Sequence, residues 1–324
     1  MIGTVTQGTG GVWRVRMADG TEHDVSLRGR LKKSDTGRRS GGSIRRDTVA
    51  AERDRLKLAV GDRVRLEHDV RGRALAIAEI LPRTSRLARR APGGGYGERV
   101  LAANVDQVVV VFAAANPEPH PRMLDRFLVI AEANGLPARI VVNKVDLAGP
   151  EVAHARFTDY PRAGYPVHFT SARQGDGIEV LRRSLGGRTS VLTGPSGTGK
   201  SSLINALYPG LDLRVGELSA SVNKGRHTTV GASLHALPGP AGGFVVDTPG
   251  LREVGMWELP VERVDLCYPE IRVHREQCRF ADCRHGAEPG CEVRLAVERG
   301  EVSVERYESY LKLSQELEEQ RRQR

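Results

Sequence analysis

The sequence predicts an α/β fold: a parallel sheet covered by helices, with a small β-barrel before it and an α-rich segment after it. Three observations carry this prediction. Val108 to Phe112, Ile140 to Val142 and Val245-Val246 are continuous apolar runs of strand length, separated by helix-like stretches such as Met123 to Ala133. That pattern fits parallel strands buried on both faces. The first eighty residues instead alternate apolar and charged positions, and the last third holds a Cys/His cluster followed by a charged helix. With 324 residues, more than one domain is expected. The boundaries expected are 1–82, 83–257 and 258–324.

In the first segment Val15 and Met17 alternate with Arg14 and Arg16, and Val64 and Leu66 alternate with Arg63, Arg65 and Glu67. A period of two marks half-buried strands. Gly10-Gly11, Asp19-Gly20, Gly61-Asp62 and Arg71-Gly72 punctuate them as turns. A five-stranded barrel of the oligonucleotide-binding type follows, although other small barrels share the pattern. Lys33 to Ala50 lacks apolar periodicity and reads as a flexible basic insertion.

Charge supports a polyanionic partner. The formal net charge is +9, and two stretches exceed it: residues 28–57 carry eleven Lys/Arg against four Asp/Glu, and 83–99 carry five against one. A surplus so localised suits a phosphate backbone, with Arg28, Arg30, Lys32, Arg86, Arg89 and Arg90 as candidate contacts. A solvated basic loop is the plainer alternative. The longest apolar stretch, Val108 to Ala115, falls far short of the roughly 20 residues a membrane-spanning helix needs. With no signal-peptide pattern at Met1 to Trp13, a cytoplasmic protein without membrane contact is expected.

Within the sheet segment, Gly194-Pro195-Ser196-Gly197-Thr198-Gly199-Lys200-Ser201 satisfies the G-x-x-x-x-G-K-[ST] phosphate-loop pattern, with Ser202 following. It lies between the strand-like Ser190-Val191-Leu192 and the helix-like Ser201 to Leu207. Small residues let backbone N–H groups wrap phosphates, Lys200 neutralises β/γ oxygens, and Ser201 ligates Mg²⁺. Asn143-Lys144-Val145-Asp146, after the strand Arg139 to Val142, matches the N-K-x-D guanine motif, in which Asp146 accepts from the N1–H and exocyclic amine of the base. An unpaired carboxylate would penalise adenine, so GTP with Mg²⁺ is expected. Thr170-Ser171-Ala172 reads as the loop backing the base, and Asp247-Thr248-Pro249-Gly250 as the Mg²⁺-side acid and the γ-phosphate-sensing glycine.

Motif order is unusual. Ras-like GTPases place the phosphate loop first and N-K-x-D late, whereas here Asn143 to Ala172 precede Gly194, so the domain reads as a circularly permuted P-loop GTPase fold. Cys278-x4-Cys283-x-His285-x5-Cys291 then offers three thiolates and an imidazole, suited to one structural, tetrahedral Zn²⁺. A disulfide is the weaker alternative in a reducing compartment. Cys267 reads as core, and Tyr310, Leu313 and Leu317 as the packing stripe of a C-terminal helix.

Together the barrel, Ala102 to Gln107, Asn143 to Asp146, Gly194 to Ser202, Gly225-Arg226-His227-Thr228-Thr229, Asp247 to Gly250 and the Cys/His spacing resemble the RsgA (YjeQ) family of ribosome small-subunit-dependent GTPases over nearly the whole chain. The resemblance implies late maturation of the small (30S) ribosomal subunit, with rRNA binding and ribosome-stimulated hydrolysis of GTP to GDP. It also implies that His227 orients or activates water beside Lys200, with Thr228 or Thr229 completing the Mg²⁺ shell. On sequence alone, a lone loop histidine is more often a solvent-exposed or RNA-contacting residue. Leu251 stands where Ras-like enzymes place a water-orienting Gln, so hydrolysis without the ribosome should be slow. A nucleotide-latched rRNA-binding protein is the alternative. A monomer is expected by default.

Overall fold

Strands β1 (Ile2–Thr9), β2 (Val12–Met17), β3 (Glu22–Leu27), β4 (Arg63–His68) and β5 (Leu75–Ile80) close into a barrel in the order β1-β2-β3-β5-β4. The computed structural model describes residues 1–28, 58–68, 74–90, 98–211, 232–247 and 259–323. The expected insertion 33–50 lies outside them. The alternation decides which side chains turn inward: Val5, Val15, Val25, Val64, Leu66 and Ile77 are buried in the barrel core. Burying each such side chain contributes about 1.5–3 kcal/mol. The outward positions pair across strands, Arg14 with Asp24 at 2.9 Å and Arg65 with Glu79 at 2.8 Å, while Arg28 bonds Glu67. Arg28, a candidate phosphate contact in the sequence, is thus held by a carboxylate.

The sequence did not disclose a two-stranded ribbon, β6 (Arg86–Arg90) against β7 (Glu98–Ala103). A buried ion pair ties the turn before β4 to the segment that leads from β5 into this ribbon. Asp62 is fully buried, accepting from Arg83 Nε at 2.7 Å and Nη2 at 2.8 Å and from the Ala59 amide at 2.8 Å. Asn104 Nδ2 donates to the Gly61 carbonyl at 2.8 Å. Gly61 has φ +86°, and a Cβ there would stand 2.1 Å from the Ala103 carbonyl oxygen, so glycine is required. Asp62→Ala removes the buried carboxylate that Arg83 and the Ala59 amide bind, and is expected to cost about 3 kcal/mol of folding stability, measured by denaturant titration. A loss below about 1 kcal/mol would refute this role.

Two compact units divide the chain, and neither follows sequence order. The first takes the described residues of Met1–Asp106, Leu185–Val191 and Leu218–Gly250; the second takes those of Gln107–Ser184, Leu192–Glu217 and Leu251–Arg324. The sheet runs in the order β10-β9-β8-β11-β13-β12. Its strands are β8 (Gln107–Ala113), β9 (Ala138–Asn143), β10 (Val167–Phe169), β11 (Thr189–Thr193), β12 (Ser233–Ala236) and β13 (Phe244–Asp247). β8, β9 and β10 are parallel, as expected, but β12 and β13 are antiparallel. Residues 237–243 are too few for a parallel crossover, which needs a dozen or more, and the left-handed Gly239, Gly242 and Gly243 turn the chain back.

The helices of the second unit are α1 (Pro121–Ala133), α2 (Val145–Ala148), α3 (Pro150–Arg156), α4 (Asp159–Arg162), α5 (Ile178–Leu185), α6 (Lys200–Leu207), α7 (Pro269–Arg272), α8 (Glu292–Glu298) and α9 (Val304–Arg322). Ser303 caps α9 by accepting from the Arg306 amide. Val129 of α1, Tyr268, Ile271, Val293 and the stripe Tyr310, Leu313 and Leu317 share one core, together with Cys267. Among the described residues no helix is long and apolar enough to cross a membrane.

Candidate functional site

At the end of β11 the chain turns into the glycine-rich loop. Gly194 has φ +133°, and a Cβ there would stand 2.1 Å from the Val111 carbonyl oxygen, which explains a glycine where strand gives way to loop. Gly199, left-handed at φ +86°, precedes α6. Lys200 is buried and folds back over the loop, donating from Nζ to the carbonyls of Gly194 at 2.8 Å and Pro195 at 2.6 Å. Ser201 is buried, whereas Ser196, Gly197 and Ser202 are exposed.

A second strand end is tied to this loop. Asn143, only 1% exposed, donates from Nδ2 to the Thr198 carbonyl at 3.0 Å, and its Oδ1 accepts from the Ala172 amide at 3.1 Å. One side chain therefore joins β9, the 170–172 loop and the glycine-rich loop. Lys144, left-handed at φ +62°, reaches the Gly197 carbonyl at 2.7 Å and also the Asn116 carbonyl. Val145 is buried as α2 begins. Asp146 Oδ1 accepts from Ser171 Oγ at 2.6 Å, and that hydroxyl accepts from the Gln174 amide, so the carboxylate is held in one orientation. Asn143, Lys144, Asp146, Ser171, Ala172 and the loop from Gly194 to Ser202 thus converge in the second unit. The sequence offered no sign that Asn116 and Thr198 would supply carbonyls to this arrangement.

Asp247 ends β13 in the first unit, directly opposite Ser233. Burial lowers the His235 imidazole below its ordinary range, with the Asp247 carboxylate pulling the other way. His227, Thr228, Thr229 and Gly250 lie outside the described residues.

The Cys/His cluster also forms. Ligand atoms of Cys278, Cys283, His285 and Cys291 lie within 4.8 Å of one another. His285 Nδ1 is 3.5 Å from the sulfurs of both Cys278 and Cys291, which are 4.0 Å apart. A tetrahedral ion with ordinary Zn–S and Zn–N bonds gives edges of about 3.6 and 3.8 Å, so the donor set fits one metal ion. Burial pushes the Cys283 thiol up to about 12. His285 Nε2 stands 3.6 Å from Asp265 Oδ2, the position of a carboxylate that orients a ligating imidazole. Burial alone would push the Asp265 carboxyl up, but the neighbouring His285 and Arg275 hold it below the carboxylate range. Nothing in the sequence around Asp265 marked it for this place.

Residues 80–257 match the model of the RsgA GTPase family. A relative from Gemmatimonas aurantiaca, named small ribosomal subunit biogenesis GTPase RsgA, is 59% identical over 316 residues, covering 97% of each chain. The chain belongs to the RsgA GTPase family. A second RsgA, from Bacteroides fragilis, is 36% identical and covers 98% of both chains. Among solved structures, YjeQ from Thermotoga maritima superposes with a TM-score of 0.75 at 34% identity, covering 98% of each chain. YloQ, described as a circularly permuted GTPase, gives 0.70 at 28% identity over 98% of this chain and 95% of its own. The RsgA fold accounts for the motif order: a permuted GTPase domain with a barrel before it and a Cys/His cluster after it.

Proposed function

We propose that the chain is a cytoplasmic GTPase of small ribosomal subunit maturation that binds rRNA and hydrolyses GTP to GDP and phosphate when the subunit stimulates it. The names of its RsgA relatives support the ribosomal role. The single observation that carries the nucleotide reading is the bridge from Asn143 to the Thr198 carbonyl and the Ala172 amide, which joins the base-reading and phosphate-binding loops. On this reading Asp146 accepts from guanine, with Asn143, Lys144, Val145, Ser171 and Ala172 framing the base. Amides from Gly194 to Gly199 cradle the phosphates, and Lys200 exchanges two backbone carbonyls for β/γ oxygens. Ser201 and Asp247 are hard oxygen donors suited to the Mg²⁺ that neutralises phosphate charge, with Thr228 or Thr229 completing that set. Gly250 senses the γ-phosphate, and His227 orients water. The Cys/His residues would hold one Zn²⁺ in a structural role, since four protein ligands leave no open position. Segments 1–82, 83–257 and 258–324 divide the work into RNA contact, GTP turnover and a metal-held module.

Leu251 in place of a water-orienting Gln favours a second reading, a nucleotide latch without turnover. GTP hydrolysis with and without purified small subunits separates the two. The rate is expected to rise at least about tenfold with subunits, or about 1.4 kcal/mol of barrier. An unchanged rate would favour the latch.

A further inference from the structure

We infer that a cavity in the second unit is a binding site for a free amino acid with a large apolar side chain. It lies between the end of β8, the start of α1 and the corner joining α3 to α4, and its volume is about 200 Å³. No residue of the nucleotide motifs or of the Cys/His cluster lines it. Its walls are Phe112, Leu124, Phe157 and Tyr160, each at most 3% exposed. The Tyr160 hydroxyl donates to the Pro121 carbonyl at 3.4 Å, which sets that ring against the start of α1. Pro119 and Pro121, with φ fixed by their rings, stiffen the rim, so little ordering is needed when a ligand enters.

Size and charge together select the ligand. An apolar cavity of about 150 Å³ takes up benzene, so this one has room for a phenyl ring or a branched aliphatic chain and little more. Its rim carries both signs of charge. Arg156 Nη1 and Glu118 Oε1 pair there at 2.8 Å, and both side chains reach solvent. Arg156 Nη1 also donates to the Ala114 carbonyl at 3.2 Å, which holds the guanidinium in place. Both contacts involve Nη1, so the Nε–Nη2 edge of the fork is left for a carboxylate, which accepts two parallel bonds from such an edge. A ligand that is only an anion would set its charge against Glu118, and one that is only a cation would set it against Arg156. A zwitterion satisfies both. Its α-carboxylate lies on the guanidinium, its α-ammonium donates to Glu118, and its side chain fills the cavity. An exposed ion pair contributes little stability, so opening this one to admit the head group costs little.

The test is a ligand-observed NMR titration of the full chain with L-phenylalanine, which needs neither nucleotide nor turnover. Binding is expected to saturate by about 10 mM, the affinity a ligand of this size can reach. Phenylacetate and phenethylamine, each lacking one of the two charges, are expected to bind about tenfold more weakly. Arg156→Gln and Glu118→Gln lie at the solvent-exposed rim and should keep the parental circular dichroism, while each weakens L-phenylalanine about tenfold. No saturable binding to the parent chain by about 10 mM would overturn the site. Binding that both rim variants leave unchanged would place the ligand elsewhere and overturn it as well. If N-acetyl-L-phenylalanine amide, which carries neither charge, bound as tightly as L-phenylalanine, the rim would not read a zwitterion. The cavity would then be a socket for a side chain of a protein partner, and the amino-acid site would fall.

Discussion

Replacing Arg306 with alanine is expected to remove about 3–5 kcal/mol of folding stability, because it leaves two buried carboxylates without their cation. Arg306 is 3% exposed, and it donates to Asp125 of α1 and, at 2.7 Å, to Glu270 of α7. Its guanidinium also lies over the faces of Tyr268, Tyr160 and Tyr165, with the carbon 4.8, 5.3 and 5.6 Å from the ring centroids. Burial works against the charge, but Asp125 and Glu270 hold the guanidinium protonated. A net stability of about 5–15 kcal/mol is usual for a folded domain, so the loss would be a large fraction of it. A buried network replaced as a whole behaves differently, since well-packed apolar groups need no partners. Arg306→Met combined with Asp125→Leu and Glu270→Met should therefore recover most of what Arg306→Ala removes. Denaturant unfolding followed by circular dichroism reads both variants. If Arg306→Ala cost less than about 1 kcal/mol, the network would be a surface-like pair rather than the link between α9 and α1.

This network shows where sequence reading stops. Local periodicity exposed what local interactions decide: the stripe Tyr310, Leu313 and Leu317 reads as packing from its spacing, and all three are buried. The alternation in β2 and β4 likewise identifies Val15, Val64 and Leu66 as interior. Arg306 sits in the same helix among Glu305, Glu308, Lys312 and Glu316, and a charged residue in that company reads as solvated. Its burial is set by Asp125, 181 positions away, and no window along the chain contains both. The Asp62–Arg83 pair is hidden for the same reason. At the nucleotide site the motifs were legible because phosphate and base chemistry restrict which residues serve. The carbonyls of Thr198 and Asn116 were not, because every residue has one. The antiparallel β12–β13 edge was missed because apolar runs register burial, not strand direction.

On the proposed reading of the Cys/His cluster as a zinc site, removing the metal is expected to have the largest effect of any single change. A structural zinc site contributes about 10–16 kcal/mol of apparent binding free energy near neutral pH, as much as or more than a domain's whole stability. Cys278, Cys283, His285 and Cys291 lie within a stretch with little regular structure, between the short α7 and α8. Cys291 also belongs to the core formed by Tyr268, Ile271, Val293 and Tyr310. The side chains of Tyr307 and Tyr310 reach back to the carbonyls of His285 and Arg284, so α9 leans on the cluster as well. Purified protein should carry one zinc per chain by elemental analysis. Chelation, or Cys278→Ser, should abolish hydrogen-exchange protection from residue 264 to 303 and weaken it in α9. Val129 of α1 packs on this core, so some loss should reach α1. The ties from Asn143 to Thr198 and from Asp146 to Ser171 do not pass through the module, and nucleotide affinity should persist. Zinc-free protein with unchanged exchange from 264 to 303 would mean that apolar contacts alone hold the module together, leaving the cysteines without a structural purpose.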